Sequence, residues 1–157
     1  GIPANCFGPG DDFSRENSHA ISALMRRMHE AKILGLKEVA IWGTGAPRRE
    51  FLYVDDAAEA CILLANLSSD ALSSLFHPPA YLINMGSGYD VTITELAALV
   101  RSVVGFSGGM VFDTAKPDGT PRKLLEVSKL HELGWKHTTT LDTGIASTYE
   151  WFKKNYE

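Results

Sequence analysis

Two periodicities take turns along this chain. Short apolar runs that stop at a glycine or a turn alternate with segments whose apolar residues recur every three or four positions. Strands separated by helices satisfy that pattern, and the fold class it predicts is α/β. Strands are expected over residues 2–7, 38–42, 51–54, 81–85 and 110–113. Asn17 or Ser18 is placed to cap a helix in which Ile21, Leu24, Met25 and Met28 share a face, running to about Ala31. Asp55 or Asp56 starts a second helix that reaches about Leu67. Thr92-Ile93-Thr94-Glu95 has the form of a capping box and opens a third, to about Val104. Residues 128–133, stopped by Gly134, and residues 141–155 complete the helices. Loops are expected over residues 8–12, 43–49, 68–80 and 116–123.

Length and composition restrict the function classes. A chain of 157 residues points to one domain, residues 1–157, large enough for a core without disulfide staples. With 45% hydrophobic and 22% charged residues it has the balance of a globular protein. Its 15 basic and 19 acidic residues leave a net charge of −4, which argues against a dedicated nucleic-acid binder. The longest uncharged stretch, residues 71–89, contains serines, His77, Pro78 and Pro79, so no membrane span is expected. Two cysteines cannot form a disulfide framework, and Cys61, in an apolar run, is expected to be buried. With no secretory leader in the first residues, a cytoplasmic setting fits. His29, His77, His131 and His137 have no ligand spacing with cysteines or carboxylates, and no metal site is expected. The opening Gly1-Ile2-Pro3-Ala4-Asn5 starts as if partway through a strand, as a fragment would.

Some chemistry-bearing patterns are missing. No glycine-rich turn joins a strand to a helix near the start. Tyr149 and Lys153 have the spacing of a catalytic tyrosine–lysine pair, but the aromatic residues around them favour packing for Tyr149 and solvent for Lys153. Asp55 and Asp56 sit where acidic residues complement a helix dipole and are read as structural.

Four segments carry a resemblance: Asn5-Cys6-Phe7-Gly8-Pro9, Arg48 through Asp56, Ile83-Asn84-Met85-Gly86-Ser87-Gly88, and Lys116-Pro117-Asp118-Gly119-Thr120-Pro121-Arg122-Lys123. Together they resemble the C-terminal half of the extended short-chain dehydrogenases that act on nucleotide-linked sugars. With Asn17-Ser18-His19, Trp42-Gly43-Thr44-Gly45 and residues 146–152 added, the chain is similar over its whole length to the GDP-L-fucose synthases. The resemblance implies a small substrate-binding α/β domain, with residues 1–8 belonging to the sheet of a Rossmann half that this chain lacks. It implies conversion of GDP-4-keto-6-deoxy-D-mannose to GDP-L-fucose by epimerisation at two ring carbons, then reduction with NADP as the cofactor.

Residue roles follow from the same resemblance. His19 matches a histidine that exchanges protons with the sugar, work suited to an imidazole near neutrality. Arg49 and Lys123 match diphosphate contacts, Arg27 a further substrate contact, and Trp42, expected to end a buried strand, a substrate-facing aromatic. Pro3, Ala4, Asn5 and Cys6, with His19, would line the nicotinamide side. Cys6 does not match the family's catalytic cysteine, which falls in the missing half with the other catalytic groups. The chain alone is therefore expected to be inactive. Arg26 and Arg48 are read as solvated neighbours, and Trp135 and Trp151 as core. Gly108-Gly109 stands where the family can carry a basic nucleotide contact. The implied partners are a GDP-sugar and, for the intact enzyme, a second copy, with the fragment monomeric. A fragment of another nucleotide-sugar epimerase or dehydratase, and a binding module without catalysis, remain open alternatives.

Overall fold

The chain enters as two strands where one is expected. In a computed structural model, which describes residues 1–75 and 82–156, β1 (Ile2–Pro3) and β2 (Asn5–Phe7) are separated by Ala4. The break lets the chain change partners. Strand β1 runs parallel to a later segment, Ile2 opposite Asn84 and Pro3 opposite Met85, and the Ala4 amide donates to Met85 O at 2.8 Å. Asn5, Cys6 and Phe7 then pair in parallel with Phe51, Leu52 and Tyr53.

Helix α1 (Ala20–Ile33) starts later than expected, with His19 at the N-cap position and no side-chain cap bond. Asn17 belongs to the preceding turn, where its amide donates to Ser14 Oγ at 3.2 Å. Strand β3 (Glu38–Trp42) has the expected bounds, but it is not a buried strand: Val39 and Ile41 face the core while Glu38, Ala40 and Trp42 are exposed. Strand β4 (Arg48–Tyr53) begins three residues early, because Arg48 and Arg49 join the ladder, and α2 (Val54–Ala65) follows without a linker. The expected loop over residues 68–80 contains a helix, α3 (Ser69–Leu75), and residues 76–80, with the His77-Pro78-Pro79 segment, lie outside the described residues. So does Tyr81, where a strand was expected to begin; of the described residues 82–85 only β5 (Asn84–Met85) is strand.

Strand β6 (Asp90–Thr92) is too short to show a periodicity in sequence. It pairs antiparallel with β4, Arg48 opposite Thr92 and Glu50 opposite Asp90. It runs directly into α4 (Ile93–Val104), whose capping box forms as expected: Thr92 Oγ1 accepts from the Glu95 amide at 3.0 Å, and Glu95 Oε2 accepts from the Thr92 amide at 2.7 Å. Gly105, at φ +69°, closes the helix in a conformation that suits glycine. Thr92→Ala should lower stability by about 1 kcal/mol while Thr92→Ser stays within a few tenths, measured as shifts in urea midpoint.

Strand β7 (Gly109–Asp113) pairs in parallel with β3, and β8 (Arg122–Lys123), inside the expected charged loop, pairs with β4. The short α5 (Ser128–Glu132) and the long α6 (Leu141–Tyr156) end the chain. The main core lies between α1, α4 and α6, around the fully buried Phe13, Ile21, Met25, Met28, Leu96, Val100 and Ile145. A smaller one gathers Leu52, Ala60, Met85, Leu130 and Trp135. Among the described residues no helix is long and apolar enough to cross a membrane.

Candidate functional site

Strand β4 organises the site, because consecutive residues of a strand point to opposite faces. Arg48, Glu50 and Leu52 turn one way, Arg49, Phe51 and Tyr53 the other. On the first face Arg48 is not a solvated neighbour. Its Nε donates to Asp90 Oδ1 at 2.8 Å, and its Nη2 to Asp90 O at 2.9 Å. Arg122 grips the other oxygen of the same carboxylate, and the two guanidinium groups, Arg122 first, hold Asp90 below the usual carboxylate range. Arg26 is likewise engaged, donating to Glu30 Oε1 at 2.7 Å and to Phe13 O at 2.6 Å.

Glu50, which sequence reasoning missed, is 1% exposed. Its Oε1 accepts from the Gly88 amide at 2.7 Å and its Oε2 from the Leu125 amide at 2.8 Å. Its backbone oxygen accepts from Asn5 Nδ2 at 2.7 Å. One residue thus joins β2, the turn after β5 and the segment after β8. Gly86 packs so closely on this carboxylate that an added Cβ would overlap it.

On the opposite face Arg49 meets the N-terminal segments. A cavity of about 130 Å³ is lined by Arg49 and Phe51 together with Asn5, Cys6, Asp11 and His19. His19 exposes 79% of its side chain, and its Nδ1 lies 3.8 Å from Asp11 Oδ1. Asp11, absent from the sequence reading, also accepts from the Ser22 hydroxyl, so its carboxylate is fixed beside the imidazole. Burial first, and the nearby Cys61 and Asp11 after it, push the Cys6 thiol up, which keeps it protonated and a poor nucleophile. Cys61 is exposed rather than buried, although its thiol stands 4.0 Å from Met85 Sδ.

A second cavity, of about 310 Å³, brings Pro3, Ala4 and Asn5 together with Lys123 and the Glu50 side of β4. Arg49 and Lys123 are register partners across β4 and β8. Arg27 and Trp42 are not among the residues lining these two cavities. Trp42 is 61% exposed, with the Arg27 guanidinium 5.3 Å and the Lys116 ammonium 5.5 Å from its ring centre. Both separations suit a cation–π contact. The Trp42 ring is therefore an open aromatic surface between two cations, not core.

Other expected roles are structural. Tyr149 is buried, 2.9 Å from His29 Nδ1, while Lys153 pairs with Glu150 at 2.8 Å and sits over the Tyr149 ring. Asp56 accepts from the Thr138 and Thr139 amides at 2.8 and 3.1 Å. Trp135 is buried in the smaller core, and Trp151 is partly buried, with its ring stacked on Phe13. Gly108 packs against Phe106 and Lys37 O, leaving no room for a side chain without a shift. Among the described residues no group of three or more His, Cys, Asp or Glu is arranged to hold a metal ion.

Known proteins resemble this chain in sequence and in fold. Residues 1–73 match the NAD dependent epimerase/dehydratase family. The chain is 54% identical over 155 residues to GDP-L-fucose synthase 1 of Arabidopsis thaliana, covering 99% of this chain and 45% of that protein. Its fold superposes on a GDP-6-OMe-4-keto-L-xylo-heptose reductase from C. jejuni with a TM-score of 0.87 at 34% identity, over 98% of this chain and 53% of the other. A GDP-L-fucose synthetase from Naegleria fowleri bound to NADP gives a TM-score of 0.82 at 30% identity, over 99% and 46%. The chain spans about half the length of the curated relatives it matches. In sequence and fold the chain is therefore similar to one half of the GDP-L-fucose synthases, its first 73 residues resemble the NAD dependent epimerase/dehydratase family, and its α/β fold is like that of the extended short-chain dehydrogenases.

Proposed function

We propose that this chain is the substrate-binding part of an NADP-dependent epimerase/reductase that converts GDP-4-keto-6-deoxy-D-mannose to GDP-L-fucose. The observation that carries the reading is the convergence of His19 and Arg49 on one cavity, with Lys123 in register beside Arg49. The relatives supply the substrate class.

In this reading Arg49 and Lys123 hold the diphosphate, the arginine as a planar fork and the lysine as a mobile point charge. Trp42, with Arg27 beside it, faces the substrate. His19 exchanges a proton with a ring carbon next to the keto group, where an adjacent carbonyl acidifies the C–H bond, and Asp11 orients the imidazole for that transfer. The backbone of Pro3 to Cys6 forms one wall of the nicotinamide side. The cavity that Pro3, Ala4 and Asn5 share with Lys123 leaves room for that wall to be approached. The dinucleotide, when bound, supplies the hydride that reduces the ketone, and most of its contacts come from sequence outside these 157 residues. The chain alone is then a binding unit without turnover.

Titration of the chain with GDP, UDP and NADP, followed by two-dimensional NMR, tests this directly. GDP should shift amides near Arg27, Trp42, Arg49 and Lys123, while UDP and NADP leave them in place. Equal response to UDP would favour another nucleotide-sugar enzyme. Oxidation of NADPH by the purified chain would overturn the assignment of a binding unit.

A further inference from the structure

Two segments run side by side between the same end points. The first is the turn after β3, which leaves Trp42 and enters β4 at Arg48 and Arg49. The second, the strap over residues 114–121, leaves β7, carries Lys116 to the Trp42 ring, and enters β8 at Arg122 and Lys123. Each segment therefore joins a group at the Trp42 end to a cation at the Arg49 end.

One side chain ties the two segments together midway. The Thr44 amide donates to Asp118 Oδ1 at 2.6 Å, and the Thr44 hydroxyl donates to Asp118 Oδ2 at 2.7 Å. Both carboxylate oxygens are thus used on one residue, a charge-assisted pair of bonds. The turn is shaped for this approach. Gly43 has φ +82°, and a Cβ there would overlap Asp118 Oδ1. Gly45, at φ +80°, is held from behind, its carbonyl accepting from the Thr94 amide and hydroxyl, each at 3.0 Å, at the start of α4. Beyond the clasp the segments converge: the Arg48 amide donates to Pro121 O at 2.8 Å, and a Cβ on Gly119 would stand 3.7 Å from Arg49 Nη2.

We propose that Asp118 is a positioning residue: by clasping Thr44 it fixes the strap so that Lys116 and Lys123 stand with Trp42 and Arg49 as one preformed cationic edge for a nucleoside diphosphate. This rests on the reading above, and deepens it by naming what orders the edge before ligand arrives. Without the clasp the strap keeps its anchors in β7 and β8, but its middle is free and the ligand must pay to order it.

The test uses the full-length gene product that carries this sequence. Asp118→Ala should speed amide hydrogen exchange over residues 114–121 at least tenfold and weaken GDP binding about tenfold, the size expected when two charge-assisted bonds that order a loop are lost. KM for the GDP-sugar should rise with it, while kcat stays within about twofold, since no reacting group has moved. Thr44→Ser, which keeps the hydroxyl donor, should match the parent in both exchange and affinity, whereas Thr44→Val should fall between. Faster exchange with unchanged GDP affinity would leave Asp118 a purely structural anchor and overturn the proposal. Unchanged exchange would overturn it whatever the ligand. A parent protein that binds no GDP, with exchange still faster in Asp118→Ala, would instead reject the functional reading and the ligand named here while keeping the clasp.

Discussion

Replacing Glu50 with alanine should cost about 2–4 kcal/mol of stability, because two half-buried backbone donors lose their acceptor and the buried side chain leaves a void. The donors are the amides of Gly88 and Leu125, contributed by segments far from β4 in sequence. Glu50→Gln is the finer probe: it keeps the volume but turns an amide NH2 toward one of the two N–H groups, for a loss of about 1–3 kcal/mol. Urea unfolding followed by circular dichroism measures both. A loss below 1 kcal/mol for the alanine variant would mean that the carboxylate is not the junction its hydrogen bonds describe.

Arg49→Ala should weaken GDP binding roughly 10- to 100-fold, the range expected for charge-assisted bonds worth about 1.5–3 kcal/mol. Isothermal titration gives the number directly. Arg49→Lys should recover only part of it, since lysine restores the charge without the fork. The adjacent residue provides the contrast. Arg48→Ala strips one guanidinium from the buried Asp90 and should destabilise the fold, with a much smaller change in affinity. Two neighbouring arginines on one strand would then separate into a ligand phenotype and a stability phenotype. Equal affinity losses from both would sink the assignment of Arg49 to the diphosphate.

That contrast also shows what could be read from sequence. Arg48 and Arg49 look alike in a string of letters; strand alternation separates them only once the strand is known to begin at Arg48, and its first residues are hidden by their charge. Local signals were legible. The Thr92–Glu95 box, the α4 periodicity and the Gly134 stop depend on residues within a few positions of each other, and all three appear in the structure. Strand β3 was legible in extent but misread in burial, although its alternating Glu38-Val39-Ala40-Ile41-Trp42 already placed the tryptophan on the polar side. The junction at Glu50, the Asp90 knot and the Asp118 clasp were not legible, because each joins residues that only the fold brings together. The match of His19, Arg49 and Lys123 to a site came from resemblance, and Asp11, which stands beside His19, came from the geometry alone.

The clasp and the junction have a consequence for how the molecule assembles in time. Asp118 meets Thr44 across 74 residues of chain, and Leu125 meets Glu50 across 75. Closing loops of that length costs entropy before any contact rewards it, whereas the α4 capping box closes over three residues. The helices can therefore form early, but the edge that holds the cations must wait for the strap to return. During synthesis it cannot exist until Lys123 has emerged, well after the turn that receives it. Recognition in this fold is a late event of folding, and a ligand that stabilises the edge will act mainly by slowing the unfolding step that releases it.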